Sequence, residues 1–189
     1  MQLTEQKKKI HPYKFTLWVA MGSIIMMFAG FTSAYIVKRN QVNWQGFDMP
    51  VIFWYGTIVI LISSITIQIA LRSFRQRKFA AYKQLMVVTA VLGIAFISLQ
   101  ITGFMVLNKG GVKLIGHGSN VAGSFLGVIA GMHILHVLGG IFAIIIMLVR
   151  AMRKNTRSYN AVPVEVLTSY WHFVDGLWIY LFAFLSLVN

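Results

Sequence analysis

Ser124–Val149 reads SFLGVIAGMHILHVLGGIFAIIIMLV, a run that holds two histidines but no lysine, arginine, aspartate or glutamate. At 1.5 Å per residue such a run rises about 39 Å as a helix. That is long enough to cross a hydrocarbon core of about 30 Å. Four further stretches have the same character: Phe15–Val37, Val51–Leu71, Leu85–Leu107 and Val166–Val188. Each is about 20 residues or longer and contains no lysine or arginine, the strongest pattern a single sequence offers for a membrane span. The expected fold is therefore all-α, an integral membrane bundle of five transmembrane helices forming one transmembrane domain over residues 1–189.

Composition agrees. Of 189 residues, 58% are hydrophobic and only 11% charged, where a soluble domain carries about 25% charged residues. The charge is one-sided, with 17 Lys and Arg against four acids, Glu5, Asp48, Glu165 and Asp175. On a soluble protein a net charge of +13 would point to nucleic acid. Here the basic residues sit between the apolar runs, and no folded basic surface remains for such a partner. Lys7, Lys8, Lys9 and Lys14 precede the first run, Arg72, Arg75, Arg77, Lys78 and Lys83 lie near the second loop, and Arg150, Arg153, Lys154 and Arg157 near the fourth. Only Lys38, Arg39, Lys109 and Lys113 fall on the other side. The loops are short, so the positive-inside rule applies and predicts a cytoplasmic N-terminus and an outside C-terminus.

The first run follows three lysines, as a signal peptide would, but it is too long and no A-x-A-type cleavage site follows. It is read as a retained helix. The connections are too short to bury a core of their own. No internal repeat is evident, and the glycine-rich loop Asn108–Gly123 is expected on the outer surface. There are no cysteines, which excludes disulfides, iron–sulfur clusters and thiolate metal sites. A metal would have to rest on His11, His117, His133, His136 and His172.

Ionisable groups are costly in hydrocarbon, about 2.5–3.5 kcal/mol each on insertion scales. On the fifth run Glu165, Thr168, Ser169, His172 and Asp175 fall within about 120° of one helical face. On the fourth, His133 and His136 stand three residues apart. The two zones overlap in depth, so His133 and His136 are expected to face the stripe carrying His172 and Asp175. Two readings compete. One is a b-type haem, whose second axial ligand would have to be His172. The other is an interhelical hydrogen-bond cluster that sets helix packing, and most intramembrane histidines need only such a partner. Gly123, Gly127 and Gly131 recur every fourth residue, and Gly30 with Ala34 forms a weaker pair, both expected to let a neighbouring helix approach. Trp18, Trp44, Trp54 and Trp171 suit interfacial anchoring.

Several blocks resemble subunit III of the haem-copper respiratory oxidases, the cytochrome c oxidase subunit III family. Gly123-Ser124-Phe125 followed by Gly131-Met132-His133-Ile134-Leu135-His136-Val137-Leu138-Gly139-Gly140 is similar to that family's histidine block. Tyr170-Trp171-His172-Phe173-Val174-Asp175, with Trp178 and Leu181-Phe182 after it, resembles its closing helix. Glu165, and Gln100 reached through Leu92-Gly93 and Phe96, also stand where the family has a glutamate and a glutamine. The resemblance covers nearly the whole chain and implies the five-helix form, without two extra N-terminal helices. Two positions depart from the family: Ile24 replaces a glutamate within the first helix, and Gly103 an acid common three residues after the glutamine. A proton role for a first-helix carboxylate is thereby put in doubt.

The resemblance further implies assembly with catalytic subunit I, which carries the haem and copper, together with subunit II and in some cases a respiratory supercomplex. It implies no catalytic centre, metal or cofactor in this chain, bound phospholipids from the surrounding membrane lipids, and support of proton uptake, in a bacterial cytoplasmic membrane. His133, His136, Glu165, His172, Asp175 and Gln100 are the candidate polar or proton-related residues. Alternatives are subunit III of a quinol oxidase, an accessory subunit of nitric oxide reductase and, from another class, a b-haem membrane anchor. A small proton-coupled transporter is disfavoured by the lack of repeats and broken helices.

Overall fold

The structure, a computed structural model, describes residues 12–40, 44, 46, 49–112, 121–152 and 161–188. His11, His117, Lys7, Lys8, Lys9, Lys113, Arg153, Lys154, Arg157 and most of the loop between the third and fourth helices lie outside these residues. The described residues form five α-helices and no strand: α1 Pro12–Arg39, α2 Ile52–Arg75, α3 Phe79–Lys109, α4 Val121–Met152 and α5 Val162–Val188. All five are long and apolar enough to cross a membrane. Even the shortest, α2 with 24 residues, rises about 36 Å. Only a structure that bonds its own backbone N–H and C=O groups survives in hydrocarbon, and a helix does so within one segment.

Each helix runs beyond its expected apolar stretch at one or both ends, so that Lys14, Arg72, Arg75, Lys83, Arg150 and Glu165 all lie on helical turns. The α2–α3 turn shows how such an end is closed. Lys78 N–H bonds to the Ser73 carbonyl at 2.9 Å and Arg77 N–H to that of Phe74 at 3.0 Å. This is the double bond pattern of a Schellman cap. The same pattern closes α3, where Val112 reaches Leu107 at 3.1 Å and Gly111 reaches Asn108 at 3.2 Å. The left-handed residue is Gly111 at φ 91° in one cap and Arg77 at φ 60° in the other. A non-glycine residue there bears a steric cost.

Helices α2 and α3 form an antiparallel hairpin; α3 packs on α4, α4 on α5, and α5 returns to α2. These four close a ring. Among the described residues helix α1 packs only on α4 and α5, burying Phe28, Thr32 and Tyr35, which stand on one face. Near the chain's first loop the Thr32 and Tyr180 hydroxyls bond at 3.2 Å, and Tyr35 meets the rings of Trp44, Phe125 and Phe184.

Two tryptophans on α5, seven residues apart, fill the middle of the ring. The buried indole of Trp171 donates to Ser63 Oγ at 2.9 Å. That of Trp178 donates to Thr57 Oγ1 at 3.1 Å. Each buried N–H thus finds a hydroxyl on α2, as an indole inside a bundle requires. Glycines make the room: a Cβ at Gly140 would lie 2.9 Å from two atoms of the Trp171 ring, and one at Gly93 would lie 3.0 Å from that ring.

Candidate functional site

The polar side chains fall into three groups. The first is a seam between α2 and α5. Ser64 and Gln68 stand one helical turn apart on α2, and the His172 ring of α5 lies across both. In the arrangement that satisfies every atom, the Ser64 hydroxyl donates to His172 Nδ1, and His172 Nε2–H donates to Gln68 Oε1 at 3.1 Å. Asp175 follows one turn along α5. It is buried, and neither carboxyl oxygen has a hydrogen-bond partner among the described residues.

The second group is in the core. His133 is wholly buried and enclosed by rings, with centroids at 5.2 Å from Trp178, 5.9 Å from Phe96 and 6.5 Å from Phe28. Neither of its nitrogens has a hydrogen-bond partner among the described residues. Gln100 is also wholly buried, and its amide is likewise without a partner among those residues. His136 bonds through Nδ1–H to the Met132 carbonyl at 2.7 Å, and its own carbonyl accepts from the Tyr170 hydroxyl at 3.0 Å.

These contacts correct the expectation that His133 and His136 pair with His172 and Asp175. His172 turns to α2, while His133 turns to aromatic rings from α1, α3 and α5. Position along each span predicts the depth of a histidine but not its azimuth, because helix rotation is set by packing. A bis-histidine haem does not fit: both His172 nitrogens are engaged on α2, and His133 is walled in by rings. Among the described residues no group of three or more His, Cys, Asp or Glu is placed to hold a metal ion.

A buried polar group without a partner costs about 1–3 kcal/mol, and an apolar replacement of similar shape removes that cost. His133→Phe is therefore expected to leave thermal stability of the detergent-purified protein unchanged or raise it by about 1 kcal/mol. Destabilisation by more than that would show that the imidazole has a hydrogen-bonding partner.

The third group lies where α1 begins, α2 ends and α5 begins. Glu165 accepts from Lys14 Nζ at 2.9 Å and from Arg75 at 2.8 Å, its two oxygens divided between the cations. One carboxylate thus ties three helices together at the basic end of the bundle. Of the remaining stripe residues, Thr168 is buried and bonds the Val164 carbonyl at 2.9 Å, whereas Ser169 is exposed.

At the same end a groove of about 700 Å³ opens between α1, α4 and α5, lined by Leu17, Ala143, Ile146, Val166 and Tyr170 with Arg150 among them. A second, of about 550 Å³, lies between α3 and α4, with Lys83 and Gln84 facing Leu148 and Met152. Both are apolar hollows with a cation at one end.

The expected packing glycines are placed differently from Gly93 and Gly140. A Cβ at Gly30 or Gly131 would meet no atom within 4 Å among the described residues, so no described helix closes on either. Gly123 is buried and Gly127 half-buried. Gly56 was not singled out from sequence, and Gly103 was noted only as a departure from the family, yet a Cβ would lie 3.1 Å from the Gln100 amide nitrogen at Gly56 and 2.9 Å from the Phe53 ring at Gly103. An acid at position 103 would have to displace Phe53. Ile24 is partly buried against the core. Ser63, Ser64, Gln68 and Thr57 were missed as well; their signal was their grouping on one side of the second span, readable only once its neighbour was known.

The family model for cytochrome c oxidase subunit III matches residues 13–188. The chain is 27% identical over 177 residues to a cytochrome c oxidase subunit 3 from Bacillus sp. (strain PS3), covering 91% of this chain and 84% of that one. It is 28% identical over 193 residues to a probable cytochrome c oxidase subunit 3 from Nocardia farcinica, covering 96% and 94%. With a probable quinol oxidase subunit 3 from Staphylococcus aureus it shares 26% over 183 residues, covering 93% and 89%. The histidine block, the Tyr170–Asp175 block and all five apolar helices but for the first residue of α1 lie inside the matched region, and the chain belongs to the cytochrome c oxidase subunit III family.

Proposed function

We propose that this chain is a non-catalytic subunit of an aerobic haem-copper terminal oxidase that stabilises catalytic subunit I, holds phospholipid and supports proton uptake. It works as one transmembrane domain beside subunits I and II in a bacterial cytoplasmic membrane, N-terminus inside. The observation that carries this reading is how the polar groups are used. His172 and Glu165 join helices to one another, and His133 and Gln100 are enclosed in the core. Redox chemistry is left to the partner's haem and copper.

The lipid role is supported by the α1–α4–α5 groove, whose apolar wall suits acyl chains while Arg150 suits a phosphate. A cation at an anionic membrane surface contributes about 1 kcal/mol. Glu165, held between two cations at the basic end, is the ionisable group that supports the proton-uptake part of the reading. The donor is cytochrome c or a quinol, both of which appear in the names of the relatives.

Deleting the gene for this chain tests the proposal. The remaining oxidase is expected to keep its haem spectrum and initial turnover, then lose activity several-fold faster during sustained turnover. An unchanged lifetime, or a missing haem signal in a fully assembled remainder, would contradict the reading.

A further inference from the structure

The hollow between α3 and α4 holds a cation that the described chain does not neutralise. It encloses about 550 Å³ at the basic end of the bundle, with Lys83, Gln84, Val87 and Val88 on the opening turns of α3 and Leu148 and Met152 on the closing turns of α4. Lys83 is half-buried and has no ion pair among the described residues. Of the two described acids, Glu165 is taken by Lys14 and Arg75, and Asp175 is buried at the α2–α5 seam. The charged residues nearest to Lys83 along the chain are Arg77 and Lys78, of the same sign. Among the described residues no acid stands ready for Lys83.

The walls narrow the choice of occupant. They belong to two rows of large aliphatic side chains seven residues apart, Val87, Ile94 and Ile101 on α3 and Leu138, Ile145 and Met152 on α4, all exposed. A helix that receives another helix in a membrane presents small residues, so that the backbones approach closely. These rows present bulk instead, which suits flexible acyl chains. At the mouth, Lys83 offers an ammonium and Gln84 an amide N–H, both donors to phosphate oxygens. A lysine at the end of a span lays its stem along apolar surface and keeps its ammonium at headgroup level. From Lys83 to Val88 the helix rises about 7.5 Å, enough for a glycerol backbone and the first carbons of a chain.

We propose that the α3–α4 hollow is a binding site for one anionic phospholipid from the leaflet at the basic end. Its phosphate rests on Lys83 and Gln84, and one acyl chain lies between Val87, Val88, Leu148 and Met152. A headgroup bearing an ammonium is disfavoured, because Arg77 and Lys78 in the adjoining α2–α3 turn repel it. A glycerol headgroup brings no positive charge and is accepted. The site is separate from the α1–α4–α5 groove, with a different cation and a different pair of walls. It deepens the lipid part of the proposed function and rests on that reading only for its membrane setting.

Native mass spectrometry of the purified complex, after exchange into micelles holding equal amounts of phosphatidylglycerol and phosphatidylcholine, tests the site. Occupancy by one phosphatidylglycerol is expected to fall about fivefold in Lys83→Gln, the effect of one removed cation. Lys83→Arg should retain the lipid, and Val87→Trp should lose it by filling the hollow with the cation intact. Arg150→Gln, in the other groove, should keep this lipid, which separates failure of one site from failure of the other. If the variants do not assemble, native complex is labelled with phosphatidylglycerol bearing a diazirine on its acyl chain. The label must fall on Val87, Val88, Leu148 or Met152, and unlabelled phosphatidylglycerol, not phosphatidylcholine, must suppress it. Equal retention in the native, Lys83→Gln and Val87→Trp complexes overturns the proposal. So does equal retention of phosphatidylcholine, loss of a partner subunit or a quinone in place of the lipid, or labelling that both lipids suppress alike, the mark of bulk lipid. A chain that purifies without oxidase subunits yet keeps this lipid contradicts the proposed function and supports the site.

Discussion

Gly140→Leu is expected to abolish accumulation of the folded chain. Even the first added carbon would sit 2.9 Å from two ring atoms of Trp171 and 3.3 Å from the Tyr170 ring. Those rings cannot yield cheaply. Trp171 is held by Ser63 on one side and lies against Gly93 on another, so moving it breaks a buried hydrogen bond and opens the four-helix ring. Overpacking of a tight core costs about 1–3 kcal/mol for small additions, and leucine adds three carbons beyond the first. Gly140→Ala should cost about 1–3 kcal/mol and Trp171→Ala about 3–5 kcal/mol. Combining Gly140→Ala with Trp171→Phe should cost less than the sum, because the clash and the removed ring share one space. Immunoblots of membranes and thermal unfolding of the purified complex read these outcomes. Normal accumulation of Gly140→Leu would refute the packing described for the ring.

Glu165→Lys is expected to have the next largest effect. It removes two ion pairs and places three cations where α1, α2 and α5 meet. The cations are substantially exposed, with side-chain exposures of 44% for Lys14 and 58% for Arg75, so each lost pair is worth no more than about 1 kcal/mol. Losses and repulsions together amount to about 2–3 kcal/mol. Arg75→Glu in the same chain should recover part of that by restoring an ion pair of opposite sense. Helix α1 has few other attachments, so the loss should appear first as increased proteolysis near Lys14. Equal stability of the single and double variants would show that the bridge contributes nothing.

Sequence alone reveals the parts of this protein that depend on local chemistry. Five apolar runs without a lysine or arginine specify five helices because hydrocarbon leaves the backbone no other option. The histidine block and the Tyr170–Asp175 block identify the family because they preserve residue type and spacing together. What stayed hidden depends on the rotation of one helix against another. His172 bonds to Ser64 and Gln68 because α5 presents that face to α2; nothing in the spacing of Glu165, Thr168, His172 and Asp175 distinguishes α2 from α4 as the neighbour. The same holds for glycine. The regular strip at Gly123, Gly127 and Gly131 drew attention, while the close approaches are at Gly93, Gly103 and Gly140, each against an aromatic ring, with Ile141 also against Gly93 and Tyr170 also against Gly140. A ring needs one gap, not a periodic one. Arg77 at a left-handed helix end was equally illegible, since glycine is the usual residue there.

The central claim is that this chain contributes packing, lipid contacts and proton handling to an oxidase whose redox centres lie in its partners. Affinity purification of the tagged chain from native membranes under mild detergent tests it most directly, with subunits identified, and with an optical spectrum of the complex and of the chain after separation. The account predicts a haem-bearing catalytic subunit in the complex and no Soret absorbance from the separated chain. Haem or copper retained stoichiometrically by this polypeptide, or its recovery as a stable species without any oxidase subunit, would contradict it.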